Sequence, residues 1–337
     1  MLQVTLEEPG RFVAHEAPNP RRGEDEALVR IRRIGVCGTD LHAYRGRQPF
    51  FSYPRVLGHE LAGEIVEIDA NPRGLAVGDR VAVEPYLACG LCRPCRTGRT
   101  NCCARLQVLG VHCDGGMQEW LSVPVRLLHT SRTLSLEQLA LIETLGIGYH
   151  AVERAELHPD EWAVVVGAGP IGLAVMQFAV IAGAQVIAVD INTARLEFCR
   201  RLGVQHTVDA AIDPVAGVEA LTGDELAHCV FDATGSLESM AASLKLAGPG
   251  GRVVMVGLAQ GAFAVDDPLF HRRELSLHSS RNSVGAFPAL IRLMEEGRLD
   301  TAPWITHHLS LATLPDEFPG LYAPDAGVVK AMILTDE

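Results

Sequence analysis

Positive charge is in short supply in this sequence. Against 41 acidic residues stand 29 lysines and arginines, a formal net charge of −12. A chain with that balance is repelled by phosphate backbones and anionic headgroups, which excludes nucleic acid and membrane surfaces as its main partners. The opening residues, MLQVTLEEPG, hold neither a basic cluster nor an apolar run. No secretory signal is therefore expected, and the cytoplasm is the expected compartment. Heptads, internal repeats and low-complexity tracts are missing as well, so coiled coils and solenoids are set aside.

Charge is also missing locally. From Trp162 to Val189 there is no Asp, Glu, Lys or Arg, a stretch long enough to cross a bilayer. It is broken by Gly167, Gly169, Pro170, Gly172 and Gly183. A strand–turn–helix–strand buried on both faces has the same hydropathy, and the glycines favour that reading.

What is present is an ordinary globular composition, 48% hydrophobic and 21% charged over 337 residues, enough for two domains with separate cores. The first ~140 residues read as short β segments, among them ALVRIRRIGV, LAGEIVEIDA, RVAVEPY and EWLSVPV, parted by turns such as NPRG. From Trp162 strands and helices alternate: WAVVV, a helix over Pro170–Ala182, QVIAV, a helix over Thr193–Leu202, HCVFDATG, a helical LESMAASLKLA, then GRVVMVG and RELSLHS. That rhythm implies a parallel sheet covered by helices. After Ser283 a helix, AFPALIRLMEEG, leads into a short β-like tail expected to pack on the first domain.

Gly167-Ala168-Gly169-Pro170-Ile171-Gly172 follows an apolar strand and opens a helix, and Asp190 lies eighteen residues beyond Gly172 at the end of the next strand. This is the dinucleotide-binding arrangement. Gly167 permits the turn, Gly169 lets backbone approach a pyrophosphate, and Gly172 lets helix and strand pack closely. The free N–H groups where Pro170 and Ile171 begin the helix face the phosphates. Asp190 would accept from the ribose hydroxyls and repel a 2′-phosphate, favouring NAD, with Arg195 nearby to temper that preference. A glycine turn without a cofactor is the competing reading.

Nine cysteines in a chain expected to stay reduced suggest metal before disulfides. Cys89, Cys92 and Cys95 are three residues apart and Cys103 follows eight later. Such spacing wraps one zinc tetrahedrally, at about 2.3 Å per thiolate, and a closed four-thiolate site is structural. Cys102 is read as a bystander, and an iron–sulfur cluster or redox thiols remain alternatives. Elsewhere, GVCGTDLH and VLGHELAGEI offer Cys37, His59 and Glu60. One soft ligand, one imidazole and one carboxylate suit an open zinc site. Taken singly, a lone cysteine is usually a small core residue, and a His-Glu pair often faces solvent.

Together, Cys37-Gly-Thr-Asp-x-His42, Gly58-His-Glu60, the four cysteines and the Gly167–Gly172 turn, in that order, resemble the zinc-dependent medium-chain alcohol and polyol dehydrogenases over essentially the whole chain. QPFFSYPRVLGHE, TGRTNCC, GVHCDGG and SSRNS most resemble the bacterial sugar-acid members, of the L-galactonate oxidoreductase kind. The resemblance implies an α/β protein, with a GroES-like β-rich catalytic domain at residues 1–144 and 284–337. A Rossmann doubly wound parallel-sheet domain at 145–283 would lie between those two segments. It implies NAD and two zinc ions per chain, one catalytic and one structural, in a homotetramer or homodimer. Cys37 and His59 become catalytic zinc ligands, with Glu60 a direct or alternating one. Glu143 falls at the remaining ligand position, where polyol dehydrogenases carry glutamate, often reaching zinc through water. Thr144 follows it where the family often has proline, and Asp40 becomes the partner that orients a ligand.

The implied reaction is oxidation of a secondary alcohol by hydride transfer to the nicotinamide. With zinc on the substrate hydroxyl its pKa falls toward about 7. Thr39 then takes the proton and relays it through the nicotinamide ribose to His42, whose ordinary pKa is about 6.5. The loop AYRGRQPFFSYPR carries Arg45 and Arg47, which suit a substrate carboxylate. Either arginine is equally a solvated surface residue. Tyr44, His112, Trp120, Arg281 and Asn282 are further candidate substrate contacts. A sugar acid is thus the expected substrate. A neutral polyol or L-threonine is the rival, because CGTDLH is shared with those groups. A non-catalytic NAD- and zinc-binding regulatory protein is a third reading, against which stand the retained ligands and relay.

Overall fold

The computed structural model describes residues 1–48, 51–323 and 326–336. Pro49 and Phe50 of the arginine-bearing loop lie outside them. The chain divides into two compact units, Met1–Glu143 with Val284–Glu337, and Thr144–Ser283. The tail after Ser283 thus belongs with the first unit.

In the first unit a seven-stranded sheet runs Ile305–Ser310, Lys330–Leu334, Glu26–Gly35, Glu60–Glu67, Arg80–Val83 and Leu128–Thr130 in spatial order, and Trp120–Pro124 also pairs with Glu26–Gly35. Residues Glu26 to Arg32 alternate between half-buried and buried, Arg33 is half-buried again, and Ile34 and Gly35 are both buried. At that end the register sets Gly35 opposite Glu60 on one side and Met332 on the other. The C-terminal strand therefore delivers its first residue, Lys330, to the place where Glu60 begins its own. A seven-residue helix, Gly38–Tyr44, starts immediately after this strand. Val29, Ile31, Ile34, Leu57, Leu61, Val81 and Ile333 fill the core beneath, each contributing ~1.5–3 kcal/mol on burial.

A smaller lobe leaves this unit between Tyr86–Leu87 and Gln107–Val108, which pair as a two-stranded ribbon. It has a core of its own, Tyr86, Cys103, Leu106, Val108 and Val111. So few apolar groups hold little structure unaided, and a lobe of this size needs a cross-link.

The second unit is a six-stranded sheet in the order His206–Asp209, Gln185–Asp190, Trp162–Val166, Ala227–Asp232, Ala247–Met255, Ser276–Ser279, with every pairing parallel. The strand order reverses between Trp162–Val166 and Ala227–Asp232. The carboxyl ends of strands at such a reversal are where open α/β sheets bind ligands. The uncharged run from Trp162 is resolved into strand, the helix Pro170–Ile181 and strand, and among the described residues no helix is long and apolar enough to cross a membrane. The helix expected over LESMAASLKLA is α-helical only through Ser243, its last turn tightening to a 3₁₀ turn over Leu244–Leu246.

Candidate active site

Cys37 stands at the N-cap of the helix Gly38–Tyr44, and its backbone N–H donates to Asp40 Oδ2 at 2.9 Å. The short helix is thereby closed on itself with the Cys37 side chain at its mouth. Glu60 opens the neighbouring strand Glu60–Glu67, and His59 immediately precedes it. Sγ of Cys37, a ring nitrogen of His59 and a carboxylate oxygen of Glu60 all lie within 4.8 Å of one another. His59 and Glu60 are buried, and Asp40 is 1% exposed.

Two buried atoms here, His59 Nδ1 and Asp40 Oδ1, are 3.7 Å apart and have no hydrogen-bond partner among the described residues. Burial alone would lower the His59 pKa. The negative field of Asp40, Cys37 and Glu143 outweighs it and holds the imidazole well above its ordinary value. Burial pushes the Asp40 carboxyl up, with His59 opposing. A thiol, an imidazole and carboxylates gathered out of water in this way form a mixed donor set that fits zinc with a position left open.

Glu60 is not free to serve that cation alone. Lys330 Nζ donates to both its carboxylate oxygens at 2.7 Å and to Val36 O at 3.2 Å, with the lysine side chain 2% and the glutamate 0% exposed. Gly35 makes room for the pair, since a Cβ there would come within 2.0 Å of Glu60 Oε2. Burial would lower the lysine's pKa, but Glu60 and Cys37 raise it above its ordinary value. Glu143, at the start of the helix Ile142–Ala155, is buried too. It accepts a short hydrogen bond from the Tyr86 hydroxyl, and burial raises its pKa against the pull of His59. It lies within electrostatic reach of His59 and Glu60 but outside the compact group of three.

His42 is exposed on the same helix as Asp40, with its pKa lowered by partial burial and by Arg45 and Arg47. Arg45 lies 3.8 Å over the ring of Tyr322, a cation–π contact. The Tyr322 hydroxyl donates to Leu41 O at 2.5 Å. Arg47 is exposed and Thr39 half-buried.

Other candidates have different surroundings. Tyr44 donates its hydroxyl to Gly10 O at 2.9 Å and packs its ring on Phe12, Phe318 and Tyr322, in an aromatic cluster under the helix. His112 accepts at Nδ1 from Val108 N, within the cysteine lobe. Trp120 carries Arg30 over its ring at 5.5 Å. Arg281 is exposed and Asn282 half-buried with φ +50° at the end of the second unit.

In the lobe, Cys89, Cys92, Cys95 and Cys103 form the second compact donor group, with Cys92 Sγ 3.3 Å from Cys95 Sγ and 3.8 Å from Cys103 Sγ. Cys102 is not a member. Backbone N–H groups of Leu91 and Cys92 bring the Cys89 thiol down to about 5, while burial and the neighbouring sulfurs push Cys95 up to about 12. Four sulfurs this close ionise together only around a cation, and four thiolates fit a closed zinc site.

In the second unit Gly167 takes φ +97°, and a Cβ on Gly172 would sit 1.8 Å from Gly167 O, so both must be glycine. Gly169 caps the helix that Pro170 and Ile171 begin. Asp190 accepts Ala168 N at 2.7 Å on one oxygen and Asn192 N at 2.8 Å on the other. Each oxygen keeps a lone pair. Arg195 is close enough to feel the Asp190 charge, though burial dominates and lowers its pKa.

Residues 23–132 match the alcohol dehydrogenase GroES-like domain and residues 170–296 the zinc-binding dehydrogenase domain. L-galactonate-5-dehydrogenase of Escherichia coli (strain K12) is 42% identical over 335 residues, 99% of this chain and 98% of that protein. The chain belongs to the zinc-dependent medium-chain alcohol dehydrogenases. As a member of that family it is an oxidoreductase acting on CH–OH groups. The 2-dehydro-3-deoxy-L-galactonate 5-dehydrogenase of Pseudoalteromonas atlantica is 34% identical over 317 residues, 93% of this chain and 92% of that protein. Among solved structures, an alcohol dehydrogenase of Escherichia coli CFT073 complexed with NADH superposes with a TM-score of 0.92 at 29% identity, covering 99% of both chains. The first unit thus holds the GroES-like domain of a medium-chain dehydrogenase, and the parallel sheet belongs to its Rossmann domain.

Three residues of the first unit's sites were not foreseen: Lys330, Tyr86 and Tyr322. Lys330 left a trace, since VVKAMIL sets one cation in an apolar strand, and a buried cation demands an anion. The two tyrosines left none.

Proposed function

We propose that this dehydrogenase oxidises a secondary alcohol of a sugar acid, an aldonate such as L-galactonate or a related keto-deoxy acid, to the ketone with NAD as hydride acceptor. The observation that carries the substrate class is Arg45. It lies one helical turn beyond His42, and its guanidinium is laid on Tyr322 instead of trailing in solvent. A planar fork fixed in this way loses little entropy on binding a carboxylate. Arg47 adds positive field on the same side. The sugar-acid names carried by the two relatives point the same way.

Cys37 and His59, with Glu60 or Glu143, would hold the catalytic zinc, which when bound supplies a Lewis acid that acidifies the substrate hydroxyl. Asp40 fixes the Cys37 backbone and faces His59, so that both ligands keep their orientation. Thr39 takes the substrate proton. His42, exposed and with its pKa below the ordinary imidazole value, is neutral at pH 7 and passes that proton to solvent. Cys89, Cys92, Cys95 and Cys103 would hold a structural zinc. On the second unit the Gly167–Gly172 turn offers its N–H groups to the pyrophosphate, and the spare lone pairs of Asp190 accept from the ribose hydroxyls. The enzyme is assigned to the cytoplasm as a homodimer or homotetramer, the edge strand Ser276–Ser279, with Leu277 40% exposed, offering a surface for pairing.

A panel of aldonates and matching polyols, followed by NADH formation, tests this. Aldonates should show the higher kcat/KM, and Arg45→Ala should raise KM for them at least about tenfold while leaving polyols unaffected, a charge-assisted contact being worth ~1.5–3 kcal/mol. If polyols or L-threonine turn over as fast as the aldonates, the substrate class is wrong.

A further inference from the structure

Tyr86 belongs to two places at once. Its backbone forms the ribbon that closes the cysteine lobe, in register with Val108. Its ring sits in the lobe's small core with Cys103, Leu106, Val108 and Val111, against which Cys89, Cys92 and Cys95 also pack. Cys89 follows it by three residues, and Cys103 precedes the partner strand Gln107–Val108 by four. Yet the Tyr86 hydroxyl donates to Oε1 of Glu143, beside the catalytic donor group.

The chemistry of that contact is directional. Glu143 is a buried carboxylate, and a buried anion holds its place only where a donor meets it. A tyrosine ring has two side-chain torsions, so once its ring is clamped the hydroxyl position follows. The clamp is the lobe core, and the lobe core is organised around four thiols. Glu143, for its part, lies outside the 4.8 Å group of Cys37, His59 and Glu60 but close enough to act on His59 and Glu60 electrostatically. The Glu143 carboxylate is therefore met from the lobe side by a hydroxyl.

We propose that Tyr86 is a positioning residue through which the four-cysteine lobe fixes Glu143 against the catalytic metal, so that the structural and catalytic sites are mechanically coupled. The lobe is then more than a staple. This rests on the reading that Glu143 serves the catalytic metal.

The experiment is a double-mutant cycle on enzyme with Co²⁺ in the catalytic site and zinc in the lobe. Tyr86→Phe, Glu143→Gln and the double variant are compared by the visible Co²⁺ bands, by the rate of metal loss to a chelator, and by kcat. Tyr86→Phe should keep its lobe zinc, shift the Co²⁺ bands and speed metal loss about tenfold or more, the usual scale for losing a group that orients a ligand. In the Glu143→Gln background the same change should add less than about twofold, because the neutral amide that Tyr86 then holds no longer carries the charge that acts on the metal. Leu106→Ala, which loosens the ring's seat while leaving all four thiols, should shift the bands in the same direction. Unchanged bands and loss rate in Tyr86→Phe, or an equal effect with and without Glu143, overturn the proposal. Wild-type bands in Leu106→Ala overturn the coupling to the lobe. If Glu143→Gln alone alters neither bands nor loss rate, the assignment of Glu143 to the metal fails and the proposal fails with it.

Discussion

Changing Cys37 to serine or His59 to alanine is expected to cut turnover by about 10⁴-fold or more while NAD affinity stays at its wild-type value. Both residues sit in the compact group beside Glu60, and each would contribute a bond to the electrophile. Lewis-acid stabilisation of the developing negative charge is worth several kcal/mol. At 1.36 kcal/mol per tenfold, losing ~5 kcal/mol gives that factor. NAD binding is spared because the Gly167–Gly172 turn and Asp190 belong to the second unit, which has a core of its own. Steady-state rates with a titration of NADH fluorescence separate the two effects. Parallel loss of turnover and NAD binding would mean that Cys37 and His59 serve the fold rather than the reaction.

The second large effect concerns stability. Lys330→Met leaves the Glu60 carboxylate buried without its cation. Breaking a buried pair from one side costs about 3–5 kcal/mol, far more than the intact pair itself is worth. Chemical denaturation should register that loss. The double variant Lys330→Met/Glu60→Gln should recover much of it, since the orphaned charge is then removed. The pH dependence has a definite sign. The folded-state pKa of Lys330 lies above its ordinary value, because Glu60 and Cys37 outweigh burial. Its stabilisation is therefore fully present below about 10.4, the unfolded lysine value, and is lost as pH rises through the folded one. Wild type should show that alkaline loss and Lys330→Met should not. A single variant as stable as wild type would show that the pair holds nothing in place.

Local spacing was legible in the sequence, and long-range meeting was not. The Gly167–Gly172 turn and the cysteines at 89, 92, 95 and 103 carry their geometry within a few residues, because one tight turn or one metal fixes the intervals. The alternation of strand and helix after Trp162 was equally readable, because a two-sided sheet needs continuous apolar strands. Glu60 and Lys330 are 270 residues apart, and only the antiparallel register of Lys330–Leu334 against Glu26–Gly35 brings them together. The helix Gly38–Tyr44 hid behind a run of candidate catalytic residues, being too short to display a helical period. Tyr44 is a candidate substrate contact by its place beside the motif, and only the fold showed that its ring also packs on Phe12, Phe318 and Tyr322.

Diffraction from crystals of active enzyme, recorded on both sides of the zinc absorption edge, should give two anomalous peaks per chain. One should fall against Cys37 and His59, and the other among Cys89, Cys92, Cys95 and Cys103. The same experiment on His59→Ala should lose the first peak and keep the second. Active crystals with a peak at the four cysteines and none beside Cys37 and His59 would contradict the proposed chemistry at its root.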